Sequence, residues 1–524
     1  MQLSVKFKFK LFVCLLILNF IVRNQAVSDE LGVDSFLMHA MVNSINEYGY
    51  AKWILNPLSF VGLYPGSYTS SMHFLLSGLY QSSGLDMRIS IYLYCIFIGF
   101  FSIATSYLMA GEIFNDDIYK FITSFSISLS PAVLDYTTWT IPTRGLLTIL
   151  APLFIYLLLK CRQSKKFIPL FLLFSLFLLS THHLFYFLLP SIFAFLILSF
   201  LDILNQKNIF VRNFSFNKYL PLIVLASFVF MFSIPFFTGK FVETSRYSPI
   251  YIDYIRYTGV LLIPSIGGFF YLLLKEKKVF SEWFLLLYLI FLTPFVYSET
   301  YMKGFLPLFI LPLSAYSLVN LFKFNNHKSM SKIMLTILIV TSVMFAGFFQ
   351  FKDYTVSPYT ERYLEKEVSV TGSWAKEHLN GSSITNGMNF GMRVFSVSET
   401  SYVVTESTIL NHVYDFESVN ISNYERYPLT SESFWFSGYK GKDAGLAKWE
   451  KILRMWDYDY KVRYLIENTR ANGLIVWNHQ LIPCPLLAYA ANSQNKVYDN
   501  GVSFVWTLDE LDKDVKNYEP TYTY

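Results

Sequence analysis

The chain has 524 residues, of which 53% are hydrophobic, 19% aromatic and only 15% charged, with a mean hydropathy of +0.39. That much apolar surface exceeds what one soluble core can hide, so the composition specifies a polytopic membrane protein. The net charge of +5 is modest and its Lys and Arg residues fall in short runs between apolar segments, which argues against a nucleic-acid partner. Cys14, Cys95, Cys161 and Cys484 lie far apart, so neither a disulfide framework nor a Cys-rich metal site is expected.

A hydrocarbon core of about 30 Å calls for roughly 20 apolar residues per helix. By that rule the sequence offers eleven candidate spans, several of them short: 7–22, 89–110, 118–136, 146–160, 167–180, 184–201, 219–237, 258–274, 282–297, 304–322 and 332–351. With Lys6, Lys8 and Lys10 on the cytoplasmic side, strict alternation puts Arg162/Lys165/Lys166, Lys207/Arg212/Lys218, Lys275/Lys277/Lys278 and Lys323/Lys328/Lys332 on that side too. The loop carrying Glu112, Asp116 and Asp117 is the exception; acidic residues weigh little in the positive-inside rule. The outer face then receives residues 23–88, 135–145, 181–183, 239–257 and 298–303, together with the tail from Lys352. The first span reads either as an uncleaved anchor or as a signal peptide cut near Asn24-Gln-Ala-Val-Ser28. Both readings place Asp29 and Asp34 outside.

The tail, residues 352–524, is more highly charged and reads as a mixed α/β domain outside the membrane, distinct from the membrane domain 1–351. An amphipathic helix is expected over 360–379, further helices over 444–455 and 460–471, and strands over 401–405, 473–477 and 501–508. Asp499-Asn500-Gly501 is a turn leading into the last strand.

Several outer segments carry chemistry. Asp29, Glu30, Asp34 and His39 open the first outer loop, and a carboxylate held at the membrane surface can act as a base toward an acceptor hydroxyl. The same residues also read as a solvated acidic loop. Arg144, in Thr140-Ile-Pro-Thr-Arg144, and Lys303, in Tyr301-Met-Lys-Gly-Phe-Leu-Pro307, stand at outer helix ends, where each is either a phosphate ligand or an interfacial anchor. His182 and His183 either bind phosphate or sugar hydroxyls or cap a tight helical hairpin; adjacent positions on a helix do not make a metal site.

With an acidic outer loop delivered straight after the first span, then many spans and an outer C-terminal domain, the chain resembles the GT-C superfamily of integral-membrane glycosyltransferases. The Lys303-to-Pro307 segment is similar to the late outer loop of such enzymes that carries a cation followed by Leu-Pro. The resemblance implies sugar transfer, with inversion, from a polyprenyl-phosphate or polyprenyl-diphosphate carrier to a glycan, lipid or protein acceptor. In that scheme Asp34 is the base, with Asp29 as competitor and Glu30 and His39 beside them. Arg144 and Lys303 hold the departing phosphate, with His182, His183 and Arg246 in support. No cofactor is fixed, and a divalent ion such as Mg or Mn is left open.

Trp456-Asp-Tyr-Asp459 is a partial match to the acceptor motif of oligosaccharyltransferases, with Met455 in place of the first tryptophan and Asp459 in place of the glycine. Transfer to protein is therefore one alternative; a transporter or flippase for a lipid-linked solute is another, although its buried mid-membrane charges are missing from the spans. Asn380-Gly-Ser382 and Asn420-Ile-Ser422 are sequons expected outside, and Asn213-Phe-Ser215 one expected inside. With no retention signal at the end of the chain, a prokaryotic or archaeal plasma membrane is expected.

Overall fold

The apolar segments fold as helices, and some of the breaks between them fall at proline or glycine. The computed structural model describes residues 2–24, 27, 29–49, 71–206, 216–238, 250–324, 328–351, 363–380, 382–385, 388–398, 402–403, 462–468, 474–477, 480–483 and 496–507. In chain order the helices are α1 (Val5–Val22), α2 (Val33–Tyr48), α3 (Ser71–Ser83), α4 (Met87–Ile113), α5 (Asp117–Ser128), α6 (Pro131–Leu134), α7 (Thr143–Gln163), α8 (Phe167–Thr181), α9 (Leu189–Gln206), α10 (Phe216–Thr238), α11 (Ile250–Thr258), α12 (Leu262–Leu274), α13 (Phe280–Leu292), α14 (Phe295–Ser298), α15 (Met302–Phe305), α16 (Pro307–Phe324), α17 (Lys328–Phe351), α18 (Lys366–His378) and α19 (Met388–Ser398). The strands are β1 (Ser382–Thr385), β2 (Tyr402–Val403), β3 (Val462–Asn468), β4 (Leu474–Trp477), β5 (Gln480–Pro483), β6 (Lys496–Asp499) and β7 (Ser503–Thr507).

The chain divides into two compact units. The first comprises Met1–Ala26, Tyr92–Leu178 and Leu184–Val356; the second comprises Val27–Ile91, Leu179–His183 and Ser357–Tyr524.

Among the described residues, five helical stretches, wholly or mainly in the first unit, are long and apolar enough to cross a membrane: Met87–Ile113, Thr143–Gln163, His183–Leu204, Ile252–Leu274 and Met302–Leu321. Shorter apolar helices accompany them at Phe167–Thr181, Pro221–Ile234, Phe280–Leu292 and Ile333–Phe348. This is a multi-pass membrane protein. Several expected spans are interrupted. The segment 118–136 is not one helix: α5 stops at Ser128, and α6 restarts with Pro131 in its first turn, where the missing N–H costs nothing. The segment 282–297 breaks at Thr293-Pro294, and 258–274 begins with a tighter turn at Gly259, whose φ is +70°. Packing between α12 and α16 is close because Gly268 lies directly against the Leu313 carbonyl; a Cβ there would come within 1.9 Å of the oxygen. Small residues permit such approach between membrane helices.

At the end of this unit opposite Arg144, sixteen residues or roughly 24 Å along α7, the acidic loop that broke the charge pattern is neutralised locally. Glu112 pairs with Lys160 at 2.7 Å and Asp117 with Lys8 at 2.7 Å, while Asp116 caps α5 by accepting from the Ile118 and Tyr119 N–H groups.

In the second unit, the described residues between 27 and 88 include two helices, α2 and α3, that the hydropathy pattern does not reveal. Helix α2 packs on α3 and on α19, burying Phe36, Leu37, Met38 and Met41. The described strands form a mixed sheet in the order β2-β1-β3-β7-β6, with β1 parallel to β2 and β3, and β7 antiparallel to β3 and β6. Strands β4 and β5 make a separate antiparallel pair. The helix expected over 460–471 is instead strand β3, whose Ile466 and Asn468 are buried, two residues apart on one face. Pairing with β1 on one side and β7 on the other overrides the local helical pattern. The Asp499-Asn500-Gly501 turn forms as expected, with Gly501 at φ +83°, and Asn500 fastens it to α18 by donating to the Glu367 carbonyl at 3.0 Å and Thr371 Oγ1 at 3.1 Å. The segments 444–455 and 456–459, Asn213 and Asn420 lie outside the described residues.

Candidate active site: a tyrosine-walled cation cluster

The first unit gathers Arg144 and Lys303, far apart in sequence, at one end of its helices. Arg144 stands in the first turn of α7, which Pro142 starts by presetting the backbone of the cap. Its guanidinium carbon lies 4.8 Å from the Tyr136 ring centre and 5.3 Å from that of Tyr301. Lys303, in the single turn α15, donates to Asp253 Oδ2 at 2.9 Å and lies 5.7 Å from the Tyr257 ring centre. Tyr257 Oη in turn donates to Asp135 Oδ2 at 2.9 Å, and the Tyr136 and Tyr257 rings stack at 6.5 Å with an 18° tilt. Stacked rings thus link the two cations into one half-buried cluster, in which aromatic faces stabilise positive charge by their quadrupoles.

Glycines make the cluster possible. A Cβ on Gly304 would reach within 2.8 Å of the Tyr136 ring, and one on Gly145 within 2.1 Å of the Tyr136 carbonyl. The backbones of α15 and α7 therefore approach Tyr136 as only glycine allows.

An apolar groove of 410 Å³ is lined by Phe228 and Phe232 of α10, Ile266 and Phe269 of α12, Leu289 of α13 and Thr293 just after it, Leu306 just before α16, and Ile310 and Leu313 of α16. Leu306 is three residues, less than one helical turn, beyond Lys303.

The acidic candidates belong to the second unit. Glu30 and His39 are both buried and bonded to each other, Oε1 to Nδ1, at 2.6 Å. Asp29 accepts from Arg88 Nη1 at 3.4 Å, and Arg88 also reaches Asp86. Asp34 is half-buried in the first turn of α2. His182 and His183 place their ring centres 4.2 Å apart, with His182 buried. Arg246 lies outside the described residues. Among the described residues no group of three or more His, Cys, Asp or Glu side chains is placed to hold a metal ion.

Arg144 and Lys303 stand out in the sequence, whereas their partners Asp135, Tyr136, Asp253 and Tyr257 do not. A signal existed for one pair: Asp253 and Tyr257 are four apart, hence on one face of a helix bordering the membrane.

A scan of protein-family models finds no match, and neither does a search of curated proteins. Solved structures do match. The apo oligosaccharyltransferase of Archaeoglobus fulgidus aligns with a TM-score of 0.57 at 12% identity, over 89% of this chain and 70% of that one. ArnT from Cupriavidus metallidurans bound to undecaprenyl phosphate aligns with a TM-score of 0.53 at 11% identity, over 96% of this chain and 98% of that one. Both neighbours are membrane glycosyltransferases built on one fold. The chain has the GT-C fold. The archaeal oligosaccharyltransferase AglB from Archaeoglobus fulgidus, in complex with an inhibitory peptide and a dolichol-phosphate, is a further GT-C neighbour, with a TM-score of 0.53 at 12% identity over 88% of this chain and 69% of that one.

Proposed function

We propose that the chain is a membrane glycosyltransferase that moves a sugar from a polyprenyl-(di)phosphate carrier to an acceptor hydroxyl or glycan at the outer membrane face. The observation that supports the reading is the cluster of Arg144 and Lys303, the latter three residues before Leu306, which lines an apolar groove of 410 Å³. A cationic cluster within one helical turn of a residue that lines a hydrocarbon groove suits an amphiphile with an anionic head and an isoprenoid tail. Two of the GT-C neighbours were solved with such lipids, undecaprenyl phosphate in one and dolichol-phosphate in the other.

In this reading the acceptor oxygen attacks the anomeric carbon while the bond from that carbon to the phosphate oxygen breaks. The proton passes to a carboxylate, and the electron pair leaves with the phosphate, whose growing charge Arg144 and Lys303 stabilise. We assign the carboxylate as Asp34, with Asp29 as the competing base. Glu30 and His39, already bonded to each other, serve to hold the start of α2. His182, His183 and Arg246 act as supporting donor ligands. A side chain must reach about 3 Å from the reacting atom to do this work.

The test uses the full chain in lipid nanodiscs with a panel of polyprenyl-phosphate sugars. Asp34→Asn is expected to retain donor binding and lose transfer. Transfer undiminished in both Asp34→Asn and Asp29→Asn would refute the assignment of the base. Movement of the intact donor across a vesicle, without cleavage, would replace the enzyme by a transporter.

A further inference from the structure

Arg23 caps α1 and is 0% exposed. Among the described residues its partners are neutral: Nη1 donates to Asn19 Oδ1 at 2.5 Å, and Nη2 to the Ser128 carbonyl at 3.2 Å and to Thr137 Oγ1 at 3.0 Å. Its Nε has no hydrogen-bond partner there and lies against Gly99, where a Cβ would come within 2.5 Å. Burying a cation without a counter-charge is costly.

The segment it grips is strained. Trp139 has φ +54°, a left-handed conformation that a bulky side chain keeps only where its surroundings enforce it. Those surroundings are in place. Trp139 is 1% exposed and stacks on Tyr92 at 5.3 Å, Tyr92 Oη donates to Asn24 Oδ1 at 3.2 Å, and Cys95 Sγ donates to the Thr140 carbonyl at 3.8 Å. The ends of α1 and α4 therefore pin residues 135–142 from Thr137 to Thr140. That segment carries Asp135 and Tyr136 and leads directly into Arg144.

We propose that Arg23 is a positioning residue that holds the strained 135–142 segment, and through Tyr136 the Arg144 guanidinium, in the geometry that receives the donor phosphate. The inference rests on the phosphate-binding reading of the Arg144 and Lys303 cluster. It also requires that α1 stay attached in the mature protein, because cleavage after Ala26 would remove Asn19 and Arg23 from the core.

The experiment measures affinity for undecaprenyl phosphate and the thermal unfolding midpoint of the full chain in nanodiscs, for wild type, Thr137→Val, Arg23→Lys, Arg23→Gln, Arg144→Gln and the Thr137→Val/Arg144→Gln pair. Thr137→Val, whose volume hardly changes, removes the bond accepted from Arg23 and also the one that Thr137 Oγ1 donates to the Val133 carbonyl at 2.6 Å, and is expected to weaken binding about tenfold. Arg23→Lys is expected to restore most of what Arg23→Gln loses. The double variant is expected to bind no worse than Arg144→Gln alone, since Thr137 acts through Arg144. Should Thr137→Val and Arg23→Gln lower the midpoint while affinity stays at the wild-type value, Arg23 is only a structural staple and the proposal fails; if Arg23→Gln does not fold, Thr137→Val decides. Equal binding by wild type and Arg144→Gln would instead remove the phosphate-binding reading beneath it. An intact mass lacking α1 in the active protein also overturns the proposal.

Discussion

Replacing Lys303 by Gln tests the heart of the site. Its ammonium donates to Asp253 at 2.9 Å with the two side chains 27% and 13% exposed, so the charge is half removed from water. A phosphate about 4 Å away would gain on the order of 4 kcal/mol of Coulomb energy at an effective dielectric of about 20. Desolvation and competition from Asp253 return part of that, leaving about 1.5–3 kcal/mol, the range for hydrogen bonds to charged groups. Lys303→Gln should therefore raise the Kd for undecaprenyl phosphate by about 10- to 150-fold. The assay is equilibrium binding to the full chain in nanodiscs, with undecaprenol, the neutral alcohol, as control. The alcohol uses the groove alone, so its affinity should not move. Phosphate affinity within twofold of wild type, or an equal loss for phosphate and alcohol, would refute the reasoning.

Gly304→Ala places a Cβ 2.8 Å from the Tyr136 ring, which must tilt away from Arg144; phosphate affinity should fall several-fold, by about 1 kcal/mol, with little change in the unfolding midpoint. Gly268→Ala drives a Cβ to 1.9 Å from the Leu313 carbonyl, a backbone atom that cannot turn aside, and overpacking of about 1–3 kcal/mol should lower the midpoint and weaken binding of phosphate and alcohol alike as α12 and α16 part. In the second unit, the Lys496 ammonium at 2.7 Å and the Gly501 N–H at 2.8 Å hold the Asp499 carboxyl below its ordinary value of 3.8. The stabilisation is present above that ordinary value and is lost as pH falls through the lower folded one, so Asp499→Asn should lower stability slightly at neutral pH, leave it unchanged at the acid end, and thereby flatten the acid side of an unfolding-versus-pH curve. A steeper acid limb in the variant would reverse the sign and refute it.

Composition and hydropathy determine by themselves that this chain lives in a bilayer, because mean hydropathy is set by residue types and survives any arrangement. The two cations were legible as well. A Lys or Arg at the end of an apolar run stands out in one dimension, as Arg144 and Lys303 do. The interruptions at Pro131 and Pro294 were visible as residues, yet a hydropathy window averages across them and joins what the backbone separates.

What only the tertiary structure decided is partnership. Tyr257 bonds Asp135 across 122 positions, and Arg23 bonds Thr137 across 114. Local patterns carry no record of such distances. Strand β3 makes the same point in the second unit: residues 462–468 have a sequence that could coil, and pairing with β1 and β7 makes them extended. The sequence alone fixed the solvent this protein folds in and the charges it displays. Folding decided which of those charges meet, because contacts between distant segments depend on how helices pack, and packing depends on close approaches such as Gly268 on Leu313 and Gly304 on Tyr136 that no single segment encodes.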